Sequence, residues 1–384
     1  CAGSRKRKVP RHPVCGKAEL IHAQSEARKA MKKTGILTFH YSNNYGGVLQ
    51  SYALYDYLRT RNVDAEIINY VPSRHKYDKS FLGTGLERGA VPKDVLRRIK
   101  IRSKFGRIIG EKFDGFRNAN LRMSTEVNEG GISGILGGYD TIIVGSDQVW
   151  NPSQQRSSIY FLGFGQSFRG NKISYAADST VSDTDPKYAG KLRHELSDFT
   201  AISVRNEHSQ KFVETLVGKT VPIVADPTVL CDFGRPNLGN KPHRGEEGYI
   251  FVYVLGKDIK GTNDRAVKRI RQVYADEVLY DVGPEQWLDM LHNAAFVYTD
   301  SFHGTLLSLK YHRPFLAYYA ERARGTRFAD LGNRYKIRKF IVESVDEIET
   351  KGSLEEPPDF GMIDDVVEDH RRTSVQFLHD ALRI

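Results

Sequence analysis

Short apolar runs recur along this chain, and most end in a polar cluster followed by a stretch of helical periodicity. The first is KKTGILTFHYSNNYGGVLQSYALYDYLRTRNVDAEIINY. Ile36, Leu37 and Phe39 form a strand, and Asn43, Asn44, Gly46 and Gly47 a turn. A helix is predicted from about Gly47 to Arg59, its buried face carried by Leu49, Tyr52, Ala53 and Tyr57. Ala65 to Tyr70 is the next strand, which completes a βαβ unit of a parallel sheet.

The pattern continues in the same style. Residues 72–93 read as a long loop or insert. Residues 93–122 read as a basic helical region, with Val95, Ile99, Phe105, Ile109, Phe113 and Phe116 at roughly helical spacing. YDTIIVGSDQVW and NKISYAAD are strands with polar ends, residues 182–199 are acidic and helical, and Ile202 to Val204 is a short strand leading into a helix. VPIVADPTVL is expected to be the strand that closes this half. Residues 233–247, rich in Gly, Pro, Asn and charge, read as a linker. Beyond it YIFVYVL, EVLYDV, AFVYTD and PFLAYY are strand-like. Residues 263–275, PEQWLDMLHNA, HGTLLSLKYH and residues 361–382 are helical.

The organisation that follows is α/β, with two Rossmann-like domains: a leader over 1–30, an N-terminal α/β domain over 31–232, the linker 233–247, a C-terminal α/β domain over 248–345 and a helical segment over 346–384. The 384 residues suffice for two domains, and 34 glycines suit many tight strand-to-helix turns.

Charge changes the picture mainly at the beginning. The net charge is +10, but residues 1–30 hold eight basic residues against Glu19 and Glu26, so the body is only mildly basic. A general nucleic-acid binder would show a stronger footprint in its folded part. The leader lacks the apolar segment of a secretory signal. It is expected to be disordered or extraneous, with Met31 as the natural start; the other reading is a basic tail for anionic lipid or nucleic acid. Of Cys1, Cys15 and Cys231 only the last lies in the body, so neither a disulfide framework nor a cysteine metal site is expected. No apolar run reaches transmembrane length, and a cytoplasmic location is the default expectation. The basic stretch 93–112 has two readings: a helix with a solvated face, or a surface meeting anionic lipid or a lipid-linked diphosphate at the inner membrane.

Candidate chemistry gathers at strand ends, the edge where open α/β sheets bind ligands. In FHYSNNYGGVLQ the glycine pair at a helix start can bring backbone amides to an anion. Asn43, Asn44 and Gln50 can offer amides to a sugar or phosphate; a purely structural turn is the alternative. Gly145 to Asn151 puts Asp147 and Gln148 beside Trp150, a mixed surface that suits a sugar, unless the loop is merely capped and Trp150 anchors the core. Arg205 follows an apolar strand at the head of a helix, where a guanidinium can grip a carboxylate or phosphate through paired hydrogen bonds; the plainer reading is an ion pair with Glu207 or a neighbour. His303 stands between a strand and a helix, beside Asp300 and Ser301, with Gly304 letting the helix start tightly; that position suits proton transfer. HExxH, GxSxG and Walker A patterns are missing, which argues against those metal, serine-nucleophile and P-loop chemistries.

Taken in order, Asn43–Leu54 (NNYGGVLQSYAL), Tyr139–Asn151 (YDTIIVGSDQVWN), Ser203–Ser209 (SVRNEHS), Ala225–Thr228 (ADPT) and Asp300–Gly304 (DSFHG) resemble the polysaccharide pyruvyl transferase family, over about residues 33–345. The resemblance implies a GT-B-like architecture with the site in the cleft, phosphoenolpyruvate as donor, no tightly bound cofactor and no metal. It implies a hydroxyl pair of a surface-polysaccharide sugar or its precursor as acceptor, and a cyclic pyruvate ketal as product. His303 matches the family's acid or base and Arg205 an arginine that holds the donor. Gly47, Gln50, Asn43, Asn44, Asp147 and Gln148 fall on the acceptor side, Ser301, Gly304 and Arg327 on the donor side. Many members read DRLHG where this chain has Ser301 in DSFHG, so a second cation is needed: Arg324, Arg327 or Arg334. An undecaprenyl-diphosphate-linked acceptor is compatible with the basic stretch. A glycosyltransferase using a nucleotide sugar, and a noncatalytic glycan-binding protein, are the alternative functions.

Overall fold

The computed structural model describes residues 33–73, 108–234, 249–255, 275–276, 282–319, 322–344, 347 and 356–384. The leader, most of the basic 93–112 stretch, the linker from residue 235 and the expected helix at 263–275 as far as residue 274 lie outside the described residues; residue 275, expected to end that helix, starts a strand instead.

The first lobe contains β1 (Thr34–Leu37), α1 (Tyr45–Arg59), β2 (Ala65–Ile67), β3 (Thr141–Val144), β4 (Asn171–Ala177), α2 (Pro186–Ser197), β5 (Ala201–Val204) and α3 (Glu207–Val217). Its five strands are parallel in the order β2-β1-β3-β4-β5. Ile36, Leu37, Ile142, Ile143 and Val144 are fully buried, the consequence of covering a parallel sheet on both faces.

The second lobe contains β6 (Tyr249–Tyr253), β7 (Ala275–Asp276), α4 (Pro284–Asn293), β8 (Phe296–Thr299), α5 (Phe302–Lys310), β9 (Phe315–Tyr318), α6 (Arg322–Arg334) and β10 (Ile341–Val342). It repeats the parallel plan in the order β10-β9-β8-β6-β7. Two Rossmann-like lobes flanking a central region make this a GT-B-like α/β architecture.

α1 joins the lobes. Its Val48, Leu49 and Ala53 enter one core with Trp287, Leu288 and Leu306 of the second lobe. Its Leu54, Tyr57 and Leu58 pack with Ile36 and Ile143 of its own sheet. Being buried on both sides, it is apolar around most of its circumference. Tyr45 at its head stacks on Trp287 at 5.1 Å and donates its hydroxyl to the Val282 carbonyl at 2.7 Å. The last helix, α7 (Phe360–Leu382), returns across both lobes: Ile363 joins the shared core and Leu378 the first-lobe core. Ser374 of α7 accepts the Ala225 amide at 2.7 Å.

Two expectations are corrected. VPIVADPTVL is not a strand; it makes one bridge, Ile223 to Val204, and then a 3-10 turn at Pro227–Val229. Pro222 and Pro227 lack the N–H groups a ladder needs, and Asp226 caps the Thr228 amide instead. Trp150 is not a plate beside a binding loop. It is fully buried, stacks on Phe161 and donates to the Tyr160 carbonyl at 2.8 Å.

Candidate active site at the lobe interface

The carboxyl ends of the strands in the two lobes face one another. The loop after β1, the turns after β3, β4 and β5, and the start of α5 after β8 all meet there. Short side-chain caps fix the helix starts: Asn44 accepts the Gly47 amide (3.1 Å), Asn206 the Ser209 amide (2.9 Å) and Ser301 the Gly304 amide (3.2 Å).

Arg205 lies at the centre. Its Nη2 donates to Asp178 Oδ2 at 2.7 Å and its Nη1 to Asp226 Oδ2 at 2.9 Å, while Asp147 Oδ1 stands 3.5 Å away. The ring of Phe302 covers the guanidinium at 4.5 Å. Burial works against its charge, but Asp178, Asp226 and Asp147 outweigh it and hold Arg205 protonated above its ordinary range. Burial likewise works to raise Asp178, and the charges of Arg205 and Arg327 lower it instead. The expected free fork for a ligand is therefore occupied by carboxylates of neighbouring strand ends. Nε is the one nitrogen of Arg205 without a hydrogen-bond partner.

Asp226 links the lobes. Besides Arg205 it receives Ser146 Oγ at 3.2 Å, and Nε2 of His303 approaches it at 3.3 Å. That approach is an ion-pair distance without hydrogen-bond alignment. Burial pushes Asp226 up, yet the charges of His303 and Arg205 win and hold it ionised well below the usual carboxylate range. The imidazole also packs against Gly46 of the opposite lobe, where a Cβ would overlap the ring. This explains the first glycine of the pair: α5 delivers a histidine onto the backbone of α1.

The turn after β3 carries Gly145 at φ +109° and Asp147 at φ +72°. A Cβ on Gly145 would overlap the Tyr175 carbonyl oxygen, so this turn needs glycine to aim Asp147 at Arg205. Gln148 crosses the interface. With its amide oxygen turned to Arg327, Nη1 and Nη2 of that residue stand 2.6 and 3.1 Å away.

The structure separates the expected site residues. His303, Arg205, Asp147, Gln148 and Arg327 converge on the interface. Asn43 is at its rim, exposed and accepting from Arg117 at 3.1 Å. Asn44 and Ser301 use their side chains as caps. Gly304 fits because a Cβ there would press on Thr299. Gly47 is buried, and Gln50 is turned inward, donating to Thr38 Oγ1 and the Gly47 carbonyl at 2.9 Å. Asp300 accepts the Leu255 amide at 2.6 Å. Arg334 pairs with Asp330 on its own helix; the Arg324 side chain lies outside the described residues. Asp178 and Asp226 received no role from sequence. Their signal was present, since ISYAAD and VPIVAD are apolar runs ending in an acid at the ligand edge of a sheet. Among the described residues no group of three or more His, Cys, Asp or Glu could hold a metal ion.

Such a site defines a two-lobed α/β transferase with a histidine–carboxylate pair across its cleft. The sequence matches the family model for polysaccharide pyruvyl transferases over residues 44–321, and the chain belongs to that family. Its reaction is pyruvyl transfer to a hydroxyl pair of a polysaccharide or its precursor, with phosphoenolpyruvate as the donor the family implies. No curated protein matches the chain. Solved structures similar to it include Arabidopsis thaliana UGT89C1, at 12% identity over 91% of this chain and 98% of that one, with a TM-score of 0.49. The UDP-GlcNAc 2-epimerase from Neisseria meningitidis shares 10% identity over 90% and 100%, TM-score 0.45. That from Methanocaldococcus jannaschii shares 12% over 85% and 92%, TM-score 0.46.

Proposed function

We propose that His303 is the proton-transfer residue of this pyruvyl transferase, with Asp226 and Arg205 holding it in place across the cleft. The observation that carries the reading is the line Arg205–Asp226–His303, in which a second-lobe histidine meets a first-lobe carboxylate at 3.3 Å.

Protonated His303 delivers its proton to the methylene carbon of phosphoenolpyruvate, which becomes a methyl group and leaves oxocarbenium character at C2. One sugar hydroxyl adds to C2 and its proton returns to His303. The C2–phosphate bond then breaks, the second hydroxyl adds, and its proton leaves with phosphate. Asp226 orients the imidazole. Arg205 keeps Asp226 ionised and has Nε–H left for a donor oxygen. Arg327 is the cation assigned to the donor in place of the family arginine at Ser301. Asn43, Asp147 and Gln148 are assigned to the acceptor. Asn44, Gly47, Gln50 and Gly304 shape the backbone that carries these groups.

An acceptor linked to undecaprenyl diphosphate, handled at the inner face of the membrane, is the finer reading; the basic character of 93–112 supports it. Among the described residues no helix is long and apolar enough to cross a membrane.

The test incubates the protein with phosphoenolpyruvate and galactose-, glucose- and mannose-type acceptors, following phosphate release and acceptor mass. Ketal formation adds one pyruvic acid less one water. The expected result is that gain with wild type and its loss with His303→Ala. Turnover that survives His303→Ala would remove the histidine from the chemistry.

A further inference from the structure

The loops after β3 and β4 and the head of α3 enclose an open depression of about 510 Å³, within the range of small-molecule sites. It lies on the same strand edge as Arg205 but outward from it. The two are joined through Asp178, whose Oδ1 accepts the Thr180 amide at 2.7 Å and Ser209 Oγ at 3.3 Å. Gln155, Thr180, Asp183, Asp185, Tyr188 and His208 are among its lining residues; among the described residues no lysine or arginine belongs to that lining, and outside it Lys187 Nζ stands 5.6 Å from the centre of the Tyr188 ring.

Gln155 marks the depression as more than a gap between loops. The residue is 2% exposed, its Oε1 accepts from Thr184 at 3.0 Å, and its Nε2 has no hydrogen-bond partner. A buried amide donor left without an acceptor costs free energy that a ligand oxygen would recover. Around it stand two carboxylates that accept hydroxyl protons, a threonine hydroxyl and Tyr188. That set suits an uncharged polyol ring. Asp183 and Asp185 together disfavour a phosphate or carboxylate there.

We infer that this depression is a subsite for a neutral glycosyl unit of the acceptor, next to the sugar that receives the pyruvyl group. The inference rests on the pyruvyl transfer reading for its place in the reaction, but binding of the neutral sugar stands by itself. The enzyme would thus read the glycan beyond the reacting hydroxyl pair.

The experiment titrates the full chain, by saturation-transfer NMR, with methyl β-galactoside, methyl β-glucoside, methyl α-mannoside, the methyl glucuronide and UMP. At least one neutral glycoside is expected to bind, with the glucuronide and UMP at least about tenfold weaker. Tyr188→Ala and His208→Ala, which alter partly exposed side chains, are expected to weaken the glycoside about tenfold, as is Gln155→Leu where melting shows it folded. His303→Ala is expected to bind the glycoside as wild type does. Absence of neutral-glycoside binding, preference for the charged probes, or binding indifferent to Tyr188→Ala and His208→Ala would each overturn the subsite. Glycoside binding that responds to these variants, in a protein that turns over no phosphoenolpyruvate, would keep the subsite and remove the pyruvyl chemistry.

Discussion

At the scale of single residues, the interface is set by how closely His303 approaches Gly46. The imidazole occupies the space a side chain at 46 would need. Gly46→Ala must push the ring away from Asp226, and a displacement near 1 Å can cost about 100-fold in rate. The expected outcome is a kcat/KM lower by about that factor with a melting temperature within a few degrees of wild type. Steady-state kinetics on a folded Gly46→Ala protein with full activity would remove the ring from its assigned role. Asp226→Asn makes the complementary change. It takes one carboxylate from Arg205 and the charge from beside His303, so kcat should fall by about 100-fold. KM for the acceptor should change little, because Asp226 is buried away from the rim. Of the residues that meet here, His303 and Arg205 were legible in the sequence because each stands at the junction of an apolar strand and a helix. The glycine pair was legible as a turn. Its reason was not, because the atom that requires Gly46 belongs to the other lobe.

At the scale of elements, several polar residues expected to touch ligand turn out to start helices. Asn44 is the clearest, with its side-chain oxygen on the Gly47 amide. A cap and an acceptor contact respond differently to substitution. As a cap, Asn44 is replaceable by Asp or Ser, while Asn44→Ala should cost about 1 kcal/mol of stability. Thermal melts and acceptor KM for the three variants decide the matter: equal KM in Asn44→Asp and Asn44→Ser supports the cap. A rise in KM in both, without loss of stability, would restore Asn44 to the acceptor. The elements themselves were mostly readable. Buried parallel strands are continuous apolar runs: β3, β4, β8 and β9 fall within the predicted runs, while β1 and β5 overlap theirs and start two residues and one residue earlier. The failure at VPIVADPTVL has a physical cause: apolarity suggested a strand, but two prolines remove the donors and Asp226 ends the run. The helical spacing of Ile109, Phe113 and Phe116 likewise matches the helix at 108–120, which buries Phe113 and Phe116 in the shared core. Its Arg117 then donates to the His40 and Ser42 carbonyls at 3.3 and 3.2 Å, clamping the loop before α1. Spacing could not announce that job.

At the scale of the whole molecule, α7 and α1 make the two lobes one packed body, so groups between them report on global stability. His370 of α7 is such a group. Its Nδ1 lies 2.9 Å from the Tyr335 hydroxyl. Burial, with the charge of Arg334 behind it, lowers its pKa from 6.5 to about 4. Between those values the unfolded chain binds a proton there and the folded chain does not. Stability contributed by neutral His370 is therefore present above pH 6.5 and is lost as the pH falls toward 4. The shift corresponds to about 3 kcal/mol at most. His40, also held neutral by burial, adds a slope of the same sign. Chemical-denaturation midpoints measured from pH 7 to 4 should fall steeply for wild type. They should fall less for His370→Gln, which cannot titrate, with the His40 slope remaining. Equal slopes for the two proteins would mean that His370 is as easily protonated in the folded state as in the unfolded chain, and that α7 does not seal it between the lobes.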